Sequence, residues 1–239
     1  MILLLSVKKM SIFKNIITLF YPNYCLHCDK TLPKNVMILC TKCRENMQIL
    51  QNMDYSKNKI YNLFYGNVKI NHSLSFLSYR KKGVTRTLIQ HLKYKKRQDV
   101  GTFLGNWYGN ILKERDVFSD IDYMIPVPLH SQRLASRGYN QVTTFCESLS
   151  EQLKIPFLPG ILKRDKFTET QTTKKKIDRF LNTATKFNLS DLDIFENKHV
   201  LLVDDVITTG ATLQACCLEL QKTKNINISI VTIALTESN

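Results

Sequence analysis

The most constraining feature of this chain is the segment Val200-Leu201-Leu202-Val203-Asp204-Asp205-Val206-Ile207-Thr208-Thr209-Gly210-Ala211-Thr212. Its opening run of apolar residues, without polar alternation, specifies a strand buried on both faces, as in a parallel sheet. Two carboxylates follow at the strand's C-terminal end, then a turn rich in hydroxyls, then a helical pattern through Leu213, Cys216, Cys217 and Leu220. In open α/β sheets that edge is where ligands bind. Free N–H groups at the helix start, with the helix dipole behind them, favour a phosphate monoester. Thr208, Thr209 and Thr212 add hydroxyl donors, while the small residues Gly210 and Ala211 let the backbone approach closely. Asp204 and Asp205 would repel a phosphate, so they suit the vicinal hydroxyls of a ribose and form the candidate catalytic pair. An ordinary acidic strand end with a threonine N-cap shares parts of this pattern. The ordered coincidence of all its parts argues for the ligand site.

The surrounding sequence alternates strand and helix. Strands are expected at residues 73–79, 121–127, near Phe157, at 200–203 and at 228–235, and helices at 84–93, 100–113, 142–153 and from Leu213 onward. That order predicts an α/β parallel sheet flanked by helices. Ile12, Ile16, Leu19 and Phe20 give a short amphipathic helix ending before Pro22, residues 36–39 fit one arm of a small hairpin, and residues 51–67 read as a connector. The expected division is an N-terminal module over residues 1–66 and a main domain over 67–239. Within the latter, residues 67–115 make a helical hood and 116–239 the core.

Two further segments carry cations suited to phosphate. Ile125-Pro126-Val127-Pro128-Leu129-His130, followed by Arg133, Arg137 and Gly138, reads as a strand end feeding an Arg- and Gly-containing loop, a candidate pyrophosphate site. The long polar stretch at 163–182, with Arg164 and Arg179, reads as a lid over a polyanionic ligand. A solvated charge run is the alternative for that stretch.

Cys25-x-x-Cys28 and Cys40-x-x-Cys43 offer four thiolates on two tight turns, the pattern of a structural tetrahedral Zn²⁺ site, and a segment this small has little core without metal. His27 reads as a bystander, and Cys146, Cys216 and Cys217 as core residues. Reduced thiols at metal spacing point to the cytoplasm. The apolar opening at residues 1–5 lacks the length and flanks of a signal peptide, and no apolar run is long enough to span a bilayer. A formal net charge of +14 over 239 residues is strong enough to attract polyanions such as nucleic acid, with a compositional drift toward Lys, Asn and Ile as the equal alternative, so charge alone decides nothing. The cation–aromatic runs at residues 79–82 and 93–97 fit single-stranded DNA, with exposed helix ends as the alternative.

The 200–212 segment resembles the signature of type I phosphoribosyltransferases, which bind 5-phosphoribosyl-1-pyrophosphate (PRPP) with Mg²⁺. In order along the chain come the four cysteines, Leu92-Lys93-Tyr94-Lys95, Val127-Pro128-Leu129-His130, and Arg133 with Arg137-Gly138-Tyr139-Asn140-Gln141. Thr168 with Gln171, Arg179 with Asn182, and the 203–212 turn follow. This order resembles the ComF family of competence proteins, from about Met10 onward. The resemblance implies a zinc module joined to a phosphoribosyltransferase-like domain, acting in natural transformation on incoming single-stranded DNA, with a competence helicase or translocase as partner. Phe167, Glu169 and Thr172-Thr173 depart from the family's Arg- and Leu-rich pattern and put the lid contacts in question. Two functions of different class follow: a ligand-binding competence protein, or an active phosphoribosyltransferase of nucleotide salvage with an unknown acceptor. No base-reading motif identifies an acceptor.

Overall fold

A computed structural model describes residues 22–50, 59–164 and 187–237. The N-terminal amphipathic stripe, and the polar stretch beyond Arg164 with Arg179, fall outside those residues.

Four parallel strands form the central sheet: β1 (Ser73–Tyr79), β2 (Tyr123–Pro126), β5 (His199–Ile207) and β6 (Asn227–Thr236), ordered β1-β6-β5-β2. The two apolar strands β5 and β6 lie at the centre, where a continuous hydrophobic run is needed to face protein on both sides. Alternation along β5 sends Leu201 and Val203 to one face and Val200 and Leu202 to the other, and each pair joins a separate hydrophobic cluster.

The first cluster packs α3 (Val84–Tyr94), α4 (Asp99–Glu114) and α6 (Thr143–Leu153) on the sheet and draws in Cys25, Leu32, Ile38, Leu39, Cys43 and Met47. Gly105 lets α4 approach α6 closely: a Cβ there would lie 2.7 Å from the Phe145 carbonyl oxygen. The second cluster packs α2 (Lys59–Phe64), α7 (Ala211–Leu220) and a small antiparallel hairpin of β3 (Leu162–Arg164) and β4 (Phe187–Leu189) on the other face. The free edge of β1 is covered by residues 48–50, with hydrogen bonds from Leu50 N–H to Phe76 O at 2.9 Å and from Ser78 N–H to Gln48 O at 2.9 Å.

Several elements differ from the sequence-based expectation. Residues 59–64, read as connector, are a helix that buries Ile60 and Phe64, one turn apart, in the core. The expected arginine loop contains a short helix, α5 (Ser131–Arg137), with no buried residue and Gly138 as its left-handed C-cap (φ 79°). Residues 36–39 form no strand; the cysteine segment is held by turns, one bridge between Tyr24 and Thr31, and a short helix, α1 (Thr41–Glu45), that carries Cys43. The strand near Phe157 reduces to a single parallel bridge with Met124. β5 runs on through the acidic pair to Ile207, so both carboxylates belong to the strand itself.

Candidate functional site

The C-terminal ends of β2 and β5 and the N-termini of α5 and α7 converge on one edge of the sheet. At its centre Thr208 and Thr209 are exposed, Gly210 is buried with φ 76°, and Ala211 and Thr212 open α7 with their side chains exposed. The positive φ turns the chain so that α7 starts with its first N–H groups uncapped by any side chain, apart from a long 3.4 Å approach of Ala211 N–H to Thr209 Oγ1. Helix α2 closes the turn from behind. Leu63 and Phe64 lie 3.5 and 3.6 Å from where a Cβ on Gly210 would sit, and Gln214 Nε2 donates to the Leu63 carbonyl. This supporting helix carried no clear sequence signal, because a single buried pair four residues apart is shorter than any periodicity test.

Strand alternation separates the two carboxylates. Asp205 lies among the groups of the α3 and α6 face: its Oδ2 accepts from Lys93 Nζ at 2.9 Å and from Gln141 Nε2. Gln141 Oε1 in turn accepts from Arg137 Nη1 at 2.6 Å, and the Arg137 guanidinium stands 5.2 Å from the centre of the Tyr94 ring. A polar chain thus runs from the strand end to α5. Asp204 is half-buried and accepts the Asp205 backbone N–H at 2.8 Å. Burial pushes its carboxyl up to about 8, with the neighbouring Asp205 charge adding to the rise and Asp205 N–H, Lys93 and Arg164 opposing it.

Arg164, at the end of β3, is half-buried. Burial and then the like charge of Arg133 lower its pKa, while Asp204 favours its charged form, so Arg133 and Arg164 share one electrostatic neighbourhood. Beside Asp205 opens a cleft of about 360 Å³ lined by Lys93, Tyr94, Lys96, Arg133, Ser136, Arg137 and Tyr139, with no carboxylate in its wall among the described residues. Tyr139 donates its hydroxyl to the Leu92 carbonyl and ties α3 to the residue after Gly138. The structure therefore brings Asp204, Asp205, the 208–212 turn, Arg133, Arg137, Gly138 and Arg164 to one edge. The Lys93–Asp205 pair was not legible in the sequence, because its members are far apart in the chain and nothing local marks either as the other's partner.

The second candidate centre lies nearer the other end of α3, where His27 meets Thr87. The sulfur atoms of Cys25, Cys28, Cys40 and Cys43 all lie within 4.8 Å of one another, with Cys28 and Cys40 at 3.6 Å. A tetrahedral ion with Zn–S of about 2.3 Å requires S···S separations of about 3.8 Å, so the cluster could hold such an ion. A turn and a helix start shape it, through Asp29 N–H to Cys25 O and Arg44 N–H to Cys40 O at the N-cap of α1, each 3.0 Å. Burial pushes the Cys25 thiol up, but backbone N–H groups of Cys40, His27 and Cys28 outweigh it and bring it down to about 6. His27 points away from the sulfurs to Thr87 Oγ1 at 3.0 Å, and Arg44 lies 4.3 Å over the Trp107 ring, so the cluster is docked on α3 and α4.

The fold and this edge define a phosphoribosyltransferase-type α/β domain. Residues 143–238 match the phosphoribosyl transferase domain family. Part of the chain is similar to curated competence proteins. It is 46% identical over 91 residues to Competence protein F of Haemophilus influenzae, covering 38% of this chain and 40% of that protein. It is 35% identical over 115 residues to Competence protein ComFC of Bacillus subtilis (46% and 43%). To DNA utilization protein YhgH of Escherichia coli O157:H7 it is 31% identical over 129 residues (53% and 56%). The chain thus spans about half the length of the curated relatives it matches. Among the described residues no helix is long and apolar enough to cross a membrane.

Proposed function

We propose that this protein binds PRPP or a related phosphoribosyl ligand at the 204–212 edge and acts in DNA uptake, handling incoming single-stranded DNA in the cytoplasm. The observation that carries the reading is the juxtaposition of an uncapped helix N-terminus, an acidic strand end and a cationic cleft at one sheet edge. In that arrangement the 5-phosphate is held by the first N–H groups of α7 and the hydroxyls of Thr208, Thr209 and Thr212. The ribose diol falls to Asp204 and Asp205, and the 1-pyrophosphate to Arg133, Arg137 and Gly138, with Arg164 at the end of β3 beside them; Arg179, proposed with them from the sequence, lies outside the described residues. Asp204 fits a cation carried by the ligand's phosphates: its carboxyl is raised by burial and by a like charge, and a positive ion relieves both. Mg²⁺ bound with PRPP would supply that charge.

The competence role rests on the named relatives, and single-stranded DNA with a competence helicase or translocase are the partners it implies. The cationic cleft edged by Tyr94 and the +14 net charge agree with a nucleic-acid partner. Zinc is the ion proposed for the cysteine cluster, in a structural role, since four thiolates leave no open coordination position.

PRPP with Mg²⁺ at about 100 times its Kd should stabilise the protein by about 2.7 kcal/mol. The double variant Asp204→Ala/Asp205→Ala should lose that gain, and an unchanged gain in the variant would remove the acids from the ligand site. Pyrophosphate release in a metabolite extract would add turnover. Its absence alongside salt-sensitive binding of single-stranded DNA would keep the protein in the binding class.

A further inference from the structure

Asp205 comes to the site already engaged. Its carboxylate is only 7% exposed, and one oxygen, Oδ2, carries both the Lys93 ammonium at 2.9 Å and the Gln141 amide. A carboxylate held in this way is poorly placed to accept the hydroxyls of a ribose. The Lys93 side chain also lines the 360 Å³ cleft, together with Lys96, Arg133 and Arg137. It therefore stands between the buried Asp205 carboxylate and a cavity walled by positive charge.

From this geometry we propose that Lys93 is an exchangeable counter-ion that makes binding of the sugar depend on a pyrophosphate group. A pyrophosphate entering the cleft draws Lys93 away from Asp205, and the freed carboxylate then takes the diol. A sugar monophosphate lacks the group that would attract Lys93, so it meets Asp205 still capped. Lys93 is on this view the residue that selects a 1-pyrophosphorylated pentose over the same pentose 5-phosphate. The inference rests on the phosphoribosyl reading above and deepens it.

Three physical points support the exchange. Breaking a buried ion pair outright is costly, but an exchange leaves the ammonium against a more highly charged anion and the carboxylate against hydroxyl donors. Lysine suits the role, being a point charge on a flexible stem with three donors. Arg137 is instead fixed by Gln141 and by the Tyr94 ring. Gln141 does not leave with Lys93: Arg137 occupies its Oε1, so its NH₂ stays turned toward Asp205 and keeps one partner on the carboxylate throughout.

The test uses the full chain in calorimetry at fixed Mg²⁺, with PRPP, ribose 5-phosphate and inorganic pyrophosphate as probes. In the wild type, saturating pyrophosphate should tighten ribose 5-phosphate binding by about fivefold or more, and ribose 5-phosphate should tighten pyrophosphate by the same factor. Two anions that merely share a site would weaken each other, so the sign is diagnostic. In Lys93→Met the coupling should vanish, and the preference for PRPP over ribose 5-phosphate should fall about tenfold or more. Because Lys93→Met leaves Asp205 with one partner, a variant that fails to fold leaves the wild-type coupling to decide. Wild type that binds PRPP yet shows zero or negative coupling, or a folded variant with the wild-type preference, overturns the exchange and leaves the phosphoribosyl reading standing. Wild type that binds neither sugar phosphate overturns the reading itself.

Discussion

Asp204→Asn should make the ligand-free protein more stable, and increasingly so as pH rises. Burial, followed by the Asp205 charge, lifts the Asp204 carboxyl from 3.8 to about 8, so the folded protein holds a proton that the unfolded chain has released. Between about pH 3.8 and 8 the native state therefore binds more protons than the unfolded state, and stability falls with rising pH through that window. Below it, both states are protonated and the carboxyl contributes nothing. Above it, the loss is complete. The full shift corresponds to an upper bound of ~6 kcal/mol. Asp204 still meets solvent and lies near Lys93 and Arg164, and such relaxation brings the expected cost to about 2–3 kcal/mol. Asparagine has the shape of the protonated acid and retains an oxygen for the Asp205 N–H, so it removes the charge without removing the hydrogen bond. Scanning calorimetry of both proteins at pH 5 and pH 8.5 measures the effect. The variant's Tm should exceed the wild type's by roughly 5–10 °C at pH 8.5, with a clearly smaller gap at pH 5. A variant that is no more stable, or a gap that does not grow with pH, would refute a strained carboxyl at this strand end.

Two further outcomes follow from the packing and from the cysteines. Gly105→Ala should destabilise by about 2 kcal/mol in urea titration, because the new Cβ meets the Phe145 backbone oxygen at 2.7 Å and the gain in helix propensity, about 1 kcal/mol, is smaller than the overpacking cost; a stabilised variant would show that α4 and α6 are further apart. Purified protein should carry about one zinc per chain by elemental analysis. A strong chelator, or Cys28→Ser, should remove it and lower the Tm by about 5 °C or more, whereas a metal-free protein with an unchanged Tm would leave the four sulfurs as a thiol cluster only.

What the sequence revealed and what it withheld divide along physical lines. The strand, turn and helix at 200–220 were legible because every constraint on them is local: the apolar run, the acidic pair, Gly210 at positive φ and the helical pattern are contiguous in the chain. Strands β1 and β6 and helices α3, α4 and α6 were likewise legible to within a residue or two from periodicity alone. Helix α2 was missed because two buried residues, Ile60 and Phe64, make too short a stripe, and α5 because it buries nothing and so has no apolar face to read. The length of β5 was underestimated because charged residues interrupt its hydrophobic run, and only pairing with β6 shows that Asp204 is still in the strand. The cysteine spacing correctly indicated that the four sulfurs converge, but not that the cluster docks on α3, the helix whose far end carries Lys93. The state of Asp205 depends on Lys93 and Gln141, which only the tertiary fold brings to it.

A crystal structure of the protein grown with PRPP and Mg²⁺ addresses the central claim most directly. The 5-phosphate should sit within hydrogen-bond distance of the backbone N–H groups at the start of α7, the diol at Asp204 and Asp205, and the pyrophosphate beside Arg133 and Arg137. Density for the ligand elsewhere on the surface, or a turn at 208–212 left empty at saturating PRPP, would contradict it.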